Sequence, residues 1–143
     1  MTLEKTITLE DQVKRFGMKQ CPMDLSLNTL GRKFAFHILR NMLLLKHNKF
    51  KQFLNNIEEI NSKTLSIRLR ELERDGIIEK KIIQNSSNEI EYYPTKKGKA
   101  VEPILVAMAN FSATFDAEKI WKDEKPKTIQ KAFDSKGMSD VWD

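Results

Sequence analysis

The residues that could do chemistry in this 143-residue sequence are two histidines, one cysteine and a basic, hydroxylated run at 61–78. His37 and His47 with the single Cys21 fall short of the donors that a structural zinc site uses, so no metal site and no cofactor is expected. No nucleophile–base arrangement, phosphate loop or paired-carboxylate motif occurs, so the chain is not expected to be an enzyme. His37 is expected at or near the core of a helix. The run NSKTLSIRLRELERDGII is more informative. Leu65, Leu69 and Leu72 recur at i, i+4 and i+7, the stripe of a helix buried on one side. Asn61 or Ser62 can cap its start, and Gly76 supplies the left-handed position after its end. Helical geometry turns Lys63, Ile67, Arg70 and Arg74 to the opposite side, with Thr64 and Ser66 on the flanks. Glu71, Glu73 and Asp75 all lie in the second half, so the first half is purely basic and hydroxylic. Such a face suits a polyanion: its cations can meet phosphates, its hydroxyls base edges, and Ile67 a thymine methyl.

Charge places this helix in its setting. The net charge is +5, and residues 21–100 carry 15 Lys or Arg against 9 Asp or Glu, whereas residues 101–143 carry 6 against 8. The positive charge therefore surrounds the run at 61–78, which favours a polyanionic partner. A single cysteine permits no internal disulfide, which fits a reducing compartment. MTLEKTITLEDQVKRF has no apolar stretch of signal-peptide type. FAFHILRNMLLL at 34–45 is too short and too polar to span a bilayer. A soluble cytoplasmic protein without membrane association is expected.

The elements that must position the helix can be read around it. Residues 1–20 form an arm or a short helix. Met23, Leu27 and Leu30 have helical spacing after Pro22, which suits a first turn, and Gly31 ends that segment. A second helix is expected from about Arg32 to Lys46, with Phe34, Ile38, Met42 and Leu45 as its stripe and Leu39 and Leu43 widening it. A short helix over about 50–57 follows, with Phe50, Phe53, Leu54 and Ile57 on one face. After the capped helix, IIEKKII at 77–83 and IEYY at 90–93 read as strands joined by the turn-rich QNSSNE. A last helix starts after Thr95 and carries Val101, Ile104, Leu105, Met108 and Phe111 to about Lys119. Pro103 bends it or marks a second start. Residues 122–143 read as a charged tail with Trp142 as a candidate anchor. The fold class is mainly α with a small β-hairpin wing (α+β): a winged helix-turn-helix, whose second paired helix enters the DNA major groove.

The sequence resembles the HxlR-type winged helix-turn-helix transcriptional regulators, relatives of the MarR group. The resemblance runs through Cys21-Pro22, Leu30-Gly31-Arg32-Lys33-Phe34, Ile38-Leu39-Arg40 and Phe50-Lys51-Gln52-Phe53. It continues through the spacing of Leu65, Leu69 and Leu72 to Asp75-Gly76-Ile77-Ile78-Glu79-Lys80, and then Glu91-Tyr92-Tyr93-Pro94-Thr95-Lys96-Lys97-Gly98. It covers most of residues 21–100, and the order of these pieces carries it rather than any one of them. It implies a homodimer held by N- and C-terminal dimerisation helices and a roughly palindromic operator. Arg32-Lys33-Phe34 stands where the family usually has Gly-Lys-Trp, and Glu89 where the wing usually has an arginine. The expected layout is an arm at 1–20, the winged helix-turn-helix domain with its dimerisation helices at 21–119, and a charged tail at 120–143.

The expected function is a dimeric, sequence-specific DNA-binding transcriptional regulator, with a recognition helix over about 62–75 and a wing over about 77–93. Ser62, Lys63, Thr64, Ser66, Ile67 and Arg68 are expected near base edges, Arg68 lying closer to the core side. Arg70, Arg74, Lys80 and Lys81 are expected at phosphates. Asn85, Ser86, Ser87 and Asn88 form a wing tip within reach of backbone or minor groove, and Lys96, Lys97 and Lys99 add a general positive field. Some members of the family use a cysteine at the position of Cys21 as a redox sensor, and a helix N-terminus favours the reactive thiolate. A small-molecule effector is compatible with this class, but no convergent set of polar residues indicates one. The alternative reading is a winged-helix protein-interaction module in a larger assembly, without specific DNA binding.

Overall fold

A computed structural model describes residues 5–84 and 89–130. The wing-tip positions Asn85, Ser86, Ser87 and Asn88, and the anchor Trp142, lie outside the described residues. The chain divides into two units, one ending at Lys33 and the other beginning at Phe34.

The first unit holds α1 (Leu9–Arg15) and α2 (Pro22–Leu30). Thr8 caps α1 by accepting from the Asp11 amide at 3.1 Å. Pro22 opens α2, where its missing N–H costs nothing. Leu30 is buried, but Met23, Leu25 and Leu27 are exposed, so α2 carries an apolar surface outward.

The second unit is built around α3 (Ala35–Leu44). This helix starts three residues later than its sequence pattern predicts, because Phe34 takes a left-handed backbone with φ 75°. Ile38, Leu39, Met42 and Leu43 are buried, whereas Leu45 lies past the helix end and is exposed. His37 is exposed, contrary to the expected core placement. The buried stripe runs through positions 35, 38, 39, 42 and 43, and position 37 falls outside it. Asn41 is the buried polar residue of this helix, and it is satisfied. Its amide donates to the Asn56 carbonyl at 3.2 Å, and its oxygen accepts from Arg40 Nε at 2.9 Å. That bond ties α3 to the end of α4 (Phe50–Asn56). Phe53 and Ile57 supply the buried contacts of α4 and the residue after it, while Phe50 and Leu54 are half-buried.

Then come α5 (Ser62–Arg74) and the antiparallel hairpin of β1 (Ile78–Ile83) and β2 (Glu89–Pro94), in register from Ile78↔Pro94 to Ile83↔Glu89. Ile77 and Ile78 bury the base of the hairpin, while Ile82 and Ile90 are exposed towards its tip. Residues after β2 pin that base to the end of α5. The Thr95 hydroxyl donates to the carbonyls of Gly76 and Ile77, at 2.6 and 3.0 Å. Gly98 packs so closely on the Ile77 carbonyl that any side chain there would collide with it. Lys97 donates to the Asp75 carbonyl at 2.9 Å, a specific bond at a helix C-terminus rather than a diffuse field.

The expected last helix is divided. A short α6 (Lys96–Lys99) precedes α7 (Glu102–Phe115), with Pro103 in the first turn, so the proline marks a second start. Asp116 then separates α8 (Ala117–Ile120). Beyond it the chain lies back along α7. The Trp121 indole donates to the Ala113 carbonyl at 3.0 Å, and Asn110 Oδ1 accepts from the Ile129 amide at 2.8 Å. Residues 121–130 are thus a strap on α7, where the sequence pattern shows a charged tail.

Candidate nucleic-acid interface

The helix-turn-helix is α4, the turn at 57–61 and α5. Asn61 is the N-cap of α5, its side chain accepting from the Thr64 amide at 2.8 Å, and Gly76, with φ 74°, closes the other end. Leu65, Leu69 and Leu72 are buried to 0%, 2% and 2% exposure, which fixes the rotation of the helix about its axis. That rotation leaves Ser62, Lys63, Ser66, Ile67, Arg70 and Arg74 exposed, with Thr64 half-buried.

The cations of this face differ in how far they are already engaged. Arg68 is half-buried and bonds Glu71 at 3.2 Å, with only about a fifth of each side chain exposed. Arg74 pairs with Asp75 at 3.2 Å, and the Asp75 hydrogen bond holds its guanidinium above the ordinary range. Lys63, Arg70 and Lys80 make no ion pair among the described residues. Ser66, Arg70, Glu73, Lys80 and Tyr92 line one shallow polar cavity of 150 Å³ where α5 meets the hairpin. The structure therefore brings Ser66, Arg70 and Lys80 together. Lys81 is directed elsewhere, because adjacent strand residues face opposite ways. It pairs with Glu79 at 3.6 Å and stands 4.9 Å from the Tyr93 ring.

The hairpin is braced against the residues that precede α4. Lys49 pairs with Glu89 at 3.1 Å, and this hydrogen bond raises its ammonium above the ordinary lysine range. The Tyr92 amide donates to the Asn48 carbonyl at 2.7 Å, and Asn48 Nδ2 donates to the Tyr93 hydroxyl at 3.1 Å. Glu89, at the place of the usual wing arginine, is thus committed to a contact inside the fold. The sequence pattern does not single out Lys51, which α4 leaves exposed and without an ion pair among the described residues. The signal available for it is positional, since the first helix of such a pair crosses the DNA backbone. Cys21 stands at the N-cap position of α2, partly exposed and without a capping hydrogen bond. Among the described residues, no group of three His, Cys, Asp or Glu could hold a metal ion. No described helix is long and apolar enough to cross a membrane.

Comparison with known proteins agrees with this geometry. A family model described as HxlR-like helix-turn-helix matches residues 29–119. The uncharacterised HTH-type transcriptional regulator YdeP of Bacillus subtilis is 28% identical over 95 residues, covering 66% of this chain and 73% of that protein. An uncharacterised HTH-type transcriptional regulator of Methanothermobacter thermautotrophicus is 30% identical over 107 residues, covering 73% of this chain and 79% of its own. Among solved structures, the redox regulator HypR in its oxidised form superposes with a TM-score of 0.59 at 27% identity, covering 64% of this chain and 94% of that one.

Proposed function

The chain belongs to the HxlR-like helix-turn-helix family and is a DNA-binding transcriptional regulator, and on that premise we propose that it works as a non-catalytic cytoplasmic homodimer that reads a palindromic operator with α5. Domain limits follow the same reading: an arm at 1–20, the DNA-binding and dimerisation part at 21–119, and a C-terminal extension from 120. One observation carries the assignment of the reading face. The capped, leucine-anchored α5 presents Ser62, Lys63, Ser66, Ile67 and Arg70 outward, and Lys63 and Arg70 have no ion pair among the described residues. A free cation loses little on meeting a phosphate, whereas Arg68 and Arg74 must first give up Glu71 and Asp75. Lys80, beside Arg70, extends the phosphate-facing surface onto the hairpin, and Lys51 extends it onto α4. In a dimer the two copies of α5 would sit about 34–36 Å apart, one turn of DNA.

The test is fluorescence anisotropy with a duplex from the gene's own upstream region or, if that carries no site, one recovered by selection from random sequence. The specific duplex should bind at least ~10³-fold tighter than a scrambled one, with a steep loss in salt. Arg70→Ala should weaken specific and scrambled binding alike and reduce the salt slope by about one, as a lost phosphate contact does. Ile67→Ala should act on the specific duplex alone. If selection recovers no site, or Arg70→Ala leaves both affinities unchanged, this assignment of the face is wrong.

A further inference from the structure

The DNA-reading face leaves unused a cavity of 330 Å³ formed by the end of α3, the loop after it, β2 and the start of α7. Its volume falls at the lower end of the range of small-molecule sites, roughly 300–1,000 Å³. Met42 and Leu43 give it an apolar side, and Tyr92 and Tyr93 give it aromatic walls. The walls are already held in place by the Asn48–Tyr92 and Asn48–Tyr93 bonds, and the Tyr93 hydroxyl in turn donates to Glu91 at 2.8 Å. A site fixed before its ligand arrives spends little of the binding energy on ordering.

The charges on this lining are not balanced within the cavity. Lys46 and Lys99 are cationic and Glu102 is anionic, and none of the three makes an ion pair among the described residues. Lys46 also holds a left-handed backbone, φ 58°, at a position where helix ends usually place glycine. Strain of this kind collects at ligand sites. His47, also on the lining, has its Nδ1 buried with no hydrogen-bond partner among the described residues, an uncommon condition for a buried polar atom.

We propose that this cavity binds a small planar organic acid, its ring against Met42, Leu43 and the two tyrosines and its carboxylate towards Lys46 and Lys99. Two cations against one carboxylate leave a single positive charge, which matches a monoacid rather than a diacid or an amine. Because β2 and α7 both contribute walls, occupancy would bear on the wing and on the helix after it. That regulatory consequence rests on the DNA-binding reading, whereas the binding itself does not.

The experiment is an NMR titration of the full chain, without DNA, using benzoate as the probe and benzylamine in parallel. Millimolar benzoate should give saturable amide shifts centred on Met42, His47, Tyr92 and Lys99, and benzylamine should bind more weakly. Replacing both lysines (Lys46→Gln with Lys99→Gln) should weaken benzoate about tenfold or more, as loss of charge-assisted contacts does, with the fold intact. Lys99→Gln alone serves if the double variant does not fold. Absence of saturable shifts at these residues, benzylamine binding as tight as benzoate, or unchanged benzoate affinity in a folded lysine variant overturns the proposal. Operator binding measured in the absence of acid is a separate readout, so failure of the cavity and failure of the DNA reading are told apart.

Discussion

His37 shows how one residue couples the fold to pH. It lines a groove of 220 Å³ between α3 and α7 with Phe36, Arg40, Leu44, Leu105, Met108 and Ala109, and its ring stands edge-on to Phe34 at 5.8 Å. Desolvation first, and then the Arg40 charge, depress its basicity below the ordinary value of 6.5. A base depressed in the fold takes up its proton more readily in the unfolded chain. Its neutral form is therefore compatible with full stability above pH 6.5, and stability is lost as pH falls from there through the folded value. Thermal denaturation at a series of pH values should show His37→Gln losing less melting temperature than the parent chain between neutral and mildly acidic pH. Equal losses would show that the groove does not oppose the imidazolium. The sequence could not have placed this residue. Apolar neighbours on both sides make position 37 look buried, and only the rotation of α3, set by Ile38, Leu39 and Met42, turns it outward. The engagement of Arg68 with Glu71 was legible in part, from its place nearer the core side of α5. The pairing of Arg74 with Asp75 needed coordinates, because neighbouring side chains meet only in one backbone geometry at the helix end.

Among the elements, α5 was the most legible because its signals are local. Asn61, the leucine spacing and Gly76 act within a few residues of one another, and the helix forms between them. Asn61→Ala removes the acceptor for the Thr64 amide, 2.8 Å away, and should cost about 1 kcal/mol of stability. Chemical denaturation measures it; Asn61→Asp, which keeps the acceptor, should lose much less. An Ala variant as stable as the parent would mean that solvent satisfies that amide equally well. The elements at the C-terminal side were less legible because long-range bonds decide them. The strap depends on Trp121 reaching Ala113 and on Asn110 reaching Ile129, neither of which leaves a periodic trace. The break before α7 is the intermediate case. Pro103 announces a discontinuity, and the bonds of Thr95 and Gly98 to the base of the hairpin decide that it is a new start rather than a bend.

For the whole molecule, the surface of α7 argues for a second copy of the chain. One side of the helix, with Leu105 and Ala109, faces the groove shared with α3. Another, with Pro103, Val106, Ala107 and Asn110, borders a cavity that Gln130 of the strap also lines. The third carries Ile104, Met108, Phe111 and Phe115, spaced by four, three and four residues and 42%, 49%, 66% and 73% exposed. A contiguous apolar face of this kind is costly in water and marks an interaction surface. The family to which the chain belongs makes self-association the occupant to test first. Light scattering after gel filtration should give a dimer for the parent chain and a monomer for Phe111→Lys, with the helical circular dichroism unchanged because Phe111 lies outside the core. The monomer should keep weak binding to a single half-site. On the full operator it should lose affinity strongly, and the salt slope should fall to about half, since half the phosphate contacts go with the second subunit. A Phe111→Lys dimer with unchanged operator affinity would move the interface away from α7.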